Sequence, residues 1–331
     1  MITPAVPNAA TALVSLADIR EAAERVRPIV RTTPLVDVSG PAGRPLWLKC
    51  ESLQPAGAFK IRGAYNMVAR LTPEQRARGV VTYSSGNHGQ AMALAARELG
   101  APAVVVMPTT APAIKVEGAR AFGAEVIFAG TTSADRRVRA EAEAAARGLT
   151  MVPPFDHEWI IAGQGTAGLE ILDQCPDVAA IVVPVGGGGL LAGVAAAIKQ
   201  ARPQVTVIGV EPSGAAKMTA SIAAGHPVTL PSTATIADGL MPVRPGDLTF
   251  AHVQAYVDRV LTVDDPAIVD AVLWIFGNAK MVAEPSGAAA TAAVLTGLVD
   301  SSGRINGPIV TIVSGGNMSV ETLRTLRAQG L

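Results

Sequence analysis

Three shortages narrow the possibilities before any motif is considered. Only two cysteines, Cys50 and Cys175, occur in 331 residues. That is too few for a disulfide framework, and neither belongs to a CxxC or a Cys/His cluster, which excludes zinc-finger and dithiol chemistry. Both lie in apolar stretches, which predicts buried, unreactive thiols. Charge of either sign is not in excess: Lys+Arg and Asp+Glu number 27 each. Such a chain has no electrostatic drive toward nucleic acid or an anionic membrane, and its expected partners are small molecules. Met1 to Ala10 lacks a basic region followed by an apolar run, so no secretion signal is expected and the cytoplasm is the expected compartment.

Long unbroken apolar runs are also missing, with one apparent exception. Ala179 to Ile198 is apolar over a length that could span a bilayer. It contains Pro184 and four consecutive glycines, Gly186 to Gly189, and strand, glycine loop and helix in succession explain it better than a membrane span.

What is present is the pattern of an α/β protein, in a chain long enough for two domains at roughly 150 residues each. Aromatic residues make up only 4%, so the core must rest on Ala, Val, Ile and Leu. Predicted strands are Leu46–Cys50, Val80–Tyr83, Ala103–Met107, Glu125–Phe128, Ile181–Pro184, Val205–Val210 and Ile309–Val313. Read as continuously apolar, they suit parallel strands covered on both faces. Helices with readable ends separate them: one capped by Ser15 and stopped before Pro28, one from Asn87 to Leu99 ending at Gly100, and one from Ser133 to Arg147 ending at Gly148. The alternation predicts two doubly wound, mostly parallel sheets, one centred on residues 80–150 and the other on residues 180–313.

In such sheets ligands bind where strand turns into helix. The candidate turns are Ser84-Ser85-Gly86-Asn87-His88-Gly89, Gly186 to Gly189, and Ser314-Gly315-Gly316-Asn317, with Gly57 to Gly63 opening a further helix. Consecutive N–H groups in the four-glycine run suit a phosphate; a tight turn for close strand–helix packing is the competing explanation. The Ser84–Gly89 turn has the donors for a carboxylate, but equally those of an ordinary helix cap with an exposed histidine. Lys60, between Phe59 and Ile61, reads either as a surface lysine or as an amine made nucleophilic by apolar surroundings. Together these turns suggest a phosphate-bearing aldehyde cofactor.

In consistent order from about Ile19 to Val320, the chain carries GAFKIRGAYN (57–66), SSGNHGQ (84–90), IAGQGT (161–166), PVGGGGL (184–190), GVEPS (209–213), TIADG (235–239), EPSG (284–287) and SGGN (314–317). This series resembles the serine/threonine dehydratase and serine racemase group of pyridoxal-phosphate enzymes, which share the fold of the tryptophan synthase β subunit. The resemblance implies a small mobile domain over 54–154 and a large domain over 1–53 and 155–331. It implies that Lys60 binds pyridoxal 5'-phosphate covalently with Phe59 packed nearby, that Gly186, Gly187, Gly188 and Gly189 cradle the phosphate, and that Gly239 lines the cofactor site. Asn87 is expected to bond the ring hydroxyl and Ser314 to face the pyridine nitrogen. A hydroxyl there cannot hold a full pyridinium charge, which favours loss of a β-leaving group over transamination. Ser84, Ser85, Asn87 and His88 are expected at the substrate carboxylate, with Ser85 also placed as a second acid/base opposite Lys60.

Three departures from the group's pattern follow. Ala58 stands where many relatives have serine. Arg136 aligns with a substrate-side arginine, or is an ordinary charge on a solvated helix, and Pro242 stands where a partner serine is expected. Lys217 replaces the Asp of a divalent-cation site whose Glu211 and Ala215 are kept. An ammonium repels a cation, so no metal is expected there and Lys217 is expected to pair with Glu211. The implied activity is dehydration of L-threonine and/or L-serine to a 2-oxo acid and ammonia, by a cytoplasmic homo-oligomer (dimer or tetramer). A serine racemase, a dehydratase of another β-hydroxy amino acid such as hydroxyaspartate, and a non-catalytic phosphate- or nucleotide-binding protein are the alternatives. With no segment matching the regulatory domain of biosynthetic threonine deaminases, feedback control by isoleucine is not expected.

Overall fold

The computed structural model describes residues 12–84, 86–300, 303 and 305–329. The described strands are β1 (Leu35–Asp37), β2 (Leu46–Lys49), β3 (Val80–Tyr83), β4 (Ala103–Met107), β5 (Glu125–Phe128), β6 (Thr150–Met151), β7 (Ala180–Pro184), β8 (Thr206–Pro212), β9 (Arg259–Val263) and β10 (Ile309–Ile312). They form a six-stranded sheet in the order β1-β2-β10-β7-β8-β9 and a four-stranded sheet in the order β5-β4-β3-β6. Every pairing is parallel except β1 with β2. The two doubly wound sheets expected from the pattern are therefore present.

The strands missed by the sequence reading are β1, β6 and β9, and the reason is common to them. β1 and β9 are the edges of the large sheet and β6 is an edge of the small one. Their residues are mostly half-buried or exposed, so the apolar run that marks a covered strand is absent. The same physics corrects the reading of β5. It lies at the other edge of the small sheet, and Glu125 and Phe128 are exposed rather than covered.

Helix ends follow the cap chemistry. Ser15 and Asp18 form a reciprocal capping box on the helix Leu16–Val26, and Thr132 with Asp135 does the same for Ser133–Arg147, which Gly148 terminates at φ +65°. The apolar stretch 179–198 divides into β7, the glycine turn and the helix Gly189–Ala201. No helix among the described residues is long and apolar enough to cross a membrane. Cys50 and Cys175 are free and buried, and burial raises their thiols to about 12 and about 11, so neither is a thiolate at neutral pH.

One helix, Glu158–Gln174, positions the site, and the glycines of its AGQGT segment explain how. A Cβ on Gly163 would stand 2.6 Å from the Arg62 carbonyl oxygen, so this helix meets Ile61–Ala69 backbone to backbone. A Cβ on Gly165 would stand 2.8 Å from the Gly193 carbonyl oxygen, which brings Gly189–Ala201 equally close on its other side. Small residues thus fix the helix that follows Lys60 relative to the helix that follows the glycine loop.

Candidate active site

The carboxyl ends of β3, β7 and β10 run directly into the 84–89, 186–189 and 314–317 turns, so the parallel sheets deliver three of the candidate motifs to strand ends. The fourth is tied on by backbone pairing. Ala58 bridges Gly315, the Phe59 N–H donates to the Ser314 carbonyl at 3.0 Å, and the Gly316 N–H donates to the Gly57 carbonyl at 2.9 Å. Lys60 is thereby held beside Ser314.

The Lys60 ammonium donates to the Pro154 carbonyl at 2.7 Å and lies 5.2 Å from the Phe59 ring centroid. Burial lowers its pKa to about 8, because the charged form is the one that loses water. Lys60 is therefore an inward-facing amine, and the surface-lysine reading is set aside.

Phe155, next along the chain from Lys60's acceptor, packs under the glycine loop. A Cβ on Gly187 would stand 2.4 Å from its ring, and one on Gly189 would stand 3.0 Å from its Cβ. Gly186 is confined by the Gly239 carbonyl and Gly188 by Thr249, with Gly188 at φ +100°. Close packing by the protein itself thus accounts for the missing side chains. The same loop leaves the N–H groups of Gly186 to Gly189 without a hydrogen-bond acceptor among the described residues, at the start of the Gly189–Ala201 helix. Consecutive unpaired donors at a helix N-terminus fit a phosphate. The packing explanation accounts for the Cβ positions of the glycine run, and the free N–H groups keep the phosphate explanation open beside it.

Asn87 opens the helix Asn87–Glu98. Its amide donates to Glu284 Oε1, and its carbonyl accepts from Asn317 Nδ2 at 3.0 Å, leaving one amide proton free. Burial raises the Glu284 carboxyl to about 7, with Lys115 opposing the shift. Ser314 is 4% exposed, and its hydroxyl has only a marginal contact, 3.5 Å to the Ser286 carbonyl, so it is free for a ligand atom. The Gly239 N–H is committed to Ser286 Oγ at 2.8 Å, which leaves its carbonyl beside Gly186 as the group facing the loop.

In the Ser84–Gly89 turn the reading as an ordinary cap with an exposed histidine fails. His88 is buried, not exposed; its Nε2 contacts the Val152 carbonyl at 3.2 Å, and Nδ1 is buried without a partner. Burial, with help from the Lys60 charge, pushes its pKa down to about 3, so it is neutral. Ser84 Oγ accepts from the Gly86 N–H at 3.1 Å. Ser85 lies outside the described residues.

Arg136 is 7% exposed, so the solvated-charge reading fails. It folds back on its own helix start, to Ser133 Oγ at 2.8 Å and the Thr131 carbonyl at 3.3 Å, with its Nε unpaired.

Lys217 and Glu211 pair as expected, at 3.3 Å and both fully buried. The ammonium also donates to the carbonyls of Val185, Ala215 and Leu240 at 2.8, 3.0 and 3.0 Å. Burial lowers its pKa to about 8 against the pull of Glu211. An ammonium inside an oxygen shell sits directly behind the glycine loop, whose first residue follows Val185.

The sequence reading missed Pro154, Phe155, Thr249 and Lys115. No local pattern marks them, since each acts through segments distant in the chain. Glu284 and Asn317 fell within quoted motifs but had no role assigned.

The pattern of the family described as "Pyridoxal-phosphate dependent enzyme" matches residues 26–315. The L-threonine ammonia-lyase of Thermotoga maritima is 43% identical over 322 residues, covering 96% of this chain and 79% of that protein. The serine racemase of Oryza sativa subsp. indica is 43% identical over 310 residues, covering 92% of this chain and 91% of that one. Among solved structures, maize serine racemase superposes with a TM-score of 0.91 at 42% identity, covering 96% and 98% of the two chains. A threonine deaminase isoform from Solanum lycopersicum superposes with a TM-score of 0.89 at 39% identity, covering 95% and 86%. A buried amine, a cradle of unpaired N–H donors and this similarity along nearly the whole length agree: the chain belongs to the pyridoxal-phosphate dependent enzymes.

Proposed function

We propose that the protein is a dehydratase that converts L-threonine, L-serine or both to a 2-oxo acid and ammonia. The observation that carries the reading is the neutral Ser314 hydroxyl, rather than a carboxylate, at the position facing the Lys60 segment. Bound pyridoxal phosphate supplies an electron sink for the pair left on Cα when its proton departs. Lys60, with a pKa near 8, is suited to take that proton as a neutral amine. The Gly186–Gly189 N–H groups would hold the phosphate of the cofactor, and the free Asn87 amide proton and the Ser314 hydroxyl would be donors available to its ring. The substrate carboxylate is received by Ser84, Ser85 and the first N–H groups of the Asn87–Glu98 helix. His88 is buried against the Val152 carbonyl through Nε2 and the free Asn87 amide proton is assigned to the cofactor ring, so these residues would contribute backbone donors there. The same reading takes 54–154 as a small mobile domain and the enzyme as a cytoplasmic oligomer.

Incubation of the holoenzyme with each amino acid, followed by assay of ammonia and 2-oxo acid, tests the proposal. Stoichiometric release from L-threonine or L-serine is expected; release from neither overturns it. Because serine racemases from rice and maize match as well as the ammonia-lyases do, chiral analysis of residual serine belongs in the same assay. D-serine formed faster than pyruvate assigns racemisation as the main activity.

Lys217 is read as a built-in cation, standing where one branch of the group binds a divalent metal. Its ammonium fills the shell formed by Glu211 and three carbonyls. Activity is expected to be unchanged by EDTA and by added magnesium. Full loss in EDTA restored by magnesium would sink this assignment.

A further inference from the structure

One buried cation has no part in the chemistry above. Lys115 belongs to the helix Ala113–Ala121, which packs with the four-stranded sheet. Its ammonium does not stay there. It hydrogen-bonds Asp238 and lies 3.6 Å from Glu284 Oε2, two residues of segments that pack with the six-stranded sheet. The residue is only 4% exposed, and its stem runs past Gly86: a Cβ there would stand 2.6 Å from Lys115 Cδ and 3.1 Å from Nζ. Glu284 Oε2 is buried without a hydrogen-bond partner, so Lys115 is the cation that compensates it. The other oxygen of the same carboxylate holds the Asn87 amide.

We propose that Lys115 is a positioning residue that latches the four-stranded unit against the six-stranded one and fixes the carboxylate that orients Asn87. The physical reason is the cost of separating the pair. Withdrawing Lys115 takes from the buried Glu284 carboxylate the cation that opposes its protonation, so the docked arrangement is favoured while the ammonium faces both carboxylates. The role assigned to Asn87 rests on the function proposed above; the latch itself does not.

The test compares hydrogen–deuterium exchange and steady-state kinetics of wild-type, Lys115→Met, Lys115→Arg and Asp238→Asn holoenzymes. In Lys115→Met, exchange in residues 113–121 should accelerate by about fivefold or more, the equivalent of about 1 kcal/mol of lost protection. Its kcat/KM should fall about tenfold or more, chiefly through KM, with Lys115→Arg intermediate. Asp238→Asn should accelerate exchange in the same segment, and this arm decides the matter if Lys115→Met does not fold. Exchange within about twofold of wild type in the folded variants overturns the latch, whether or not activity falls. A wild-type enzyme that turns over neither L-threonine nor L-serine overturns the proposed function instead, because the exchange measurement needs no substrate.

Discussion

Lys60→Ala should lose the visible absorption band of the bound cofactor and all measurable turnover, while retaining the fold. The expected loss is about 10³-fold or more, since a positioned general base alone contributes 10²–10⁴ and the covalent attachment is lost as well. Stability should not fall with it. The Lys60 side chain makes one hydrogen bond, to Pro154, and its lowered pKa reflects burial, which disfavours its charge. The sign of the pH effect follows. With a folded pKa near 8 against an ordinary 10.5, the folded apoprotein releases this proton more readily than the unfolded chain. Its contribution therefore destabilises below about pH 8 and is relieved as pH rises toward 10.5. Removing the lysine should leave apoprotein stability near neutral pH equal or higher, and should abolish that component of the pH dependence. Loading of wild-type apoenzyme with pyridoxal phosphate should speed up as pH passes through about 8 and the free amine accumulates. Absorbance titrations and denaturant melts of both proteins check these outcomes. A variant that keeps the band would show that another amine holds the cofactor.

The parts of this site legible from sequence are those whose physics is local. A glycine run after a covered strand and before a helix must place N–H groups together wherever it occurs, and Gly186 to Gly189 do so. Lys60 was identifiable because the motifs around it are ordered along the chain, although its own neighbours permitted a surface lysine. The illegible parts are contacts between distant segments. Phe155 and Thr249 fill the space a side chain at Gly187 or Gly188 would need, and nothing near the glycines announces them. Lys115 and Asp238 are separated by 123 positions, so a lysine in an unremarkable helix becomes a bridge only when two sheets meet. His88 shows the reverse case. Its motif marked the turn correctly, but its side chain faces Val152 inside the fold, because a helix start exposes its N–H groups and not every side chain that follows.

Arg62→Met should give the second large effect, on stability first and on activity through it. Arg62 follows Lys60 by two residues and is fully buried, with Glu51 and Lys49 also fully buried beside it. Its guanidinium bonds both oxygens of Glu51 at 2.7 Å, both of Glu170 at 2.7 and 2.9 Å, and Thr166 Oγ1 at 2.9 Å. Lys49 completes the array through Glu170 at 2.6 Å, Gln174 and the Thr33 carbonyl. Two cations thus face two carboxylates, anchoring the start of the Lys60 helix to the Glu158–Gln174 helix. A buried pair of this kind contributes little net stability relative to an apolar core, but removing one partner strands the other, at a cost of about 3–5 kcal/mol. Arg62→Lys should recover only part of this, because one ammonium cannot make five fork-directed bonds. The pH dependence identifies the cause. In the wild type, burial raises the Glu51 pKa, but Arg62, helped by Lys49 and the Thr33 hydroxyl, outweighs burial and holds it below the ordinary 4.5. Its contribution is therefore present above pH 4.5 and lost as pH falls through the folded value. In Arg62→Met the main opposition to burial is gone and only Lys49 and Thr33 remain against it, so the Glu51 pKa should rise, the folded state should take up the proton more readily, and the deficit against wild type should shrink on acidification. Urea melts of both apoproteins from neutral pH toward pH 4.5 provide the test. A deficit independent of pH would assign the loss to packing around the methionine and not to the stranded carboxylate.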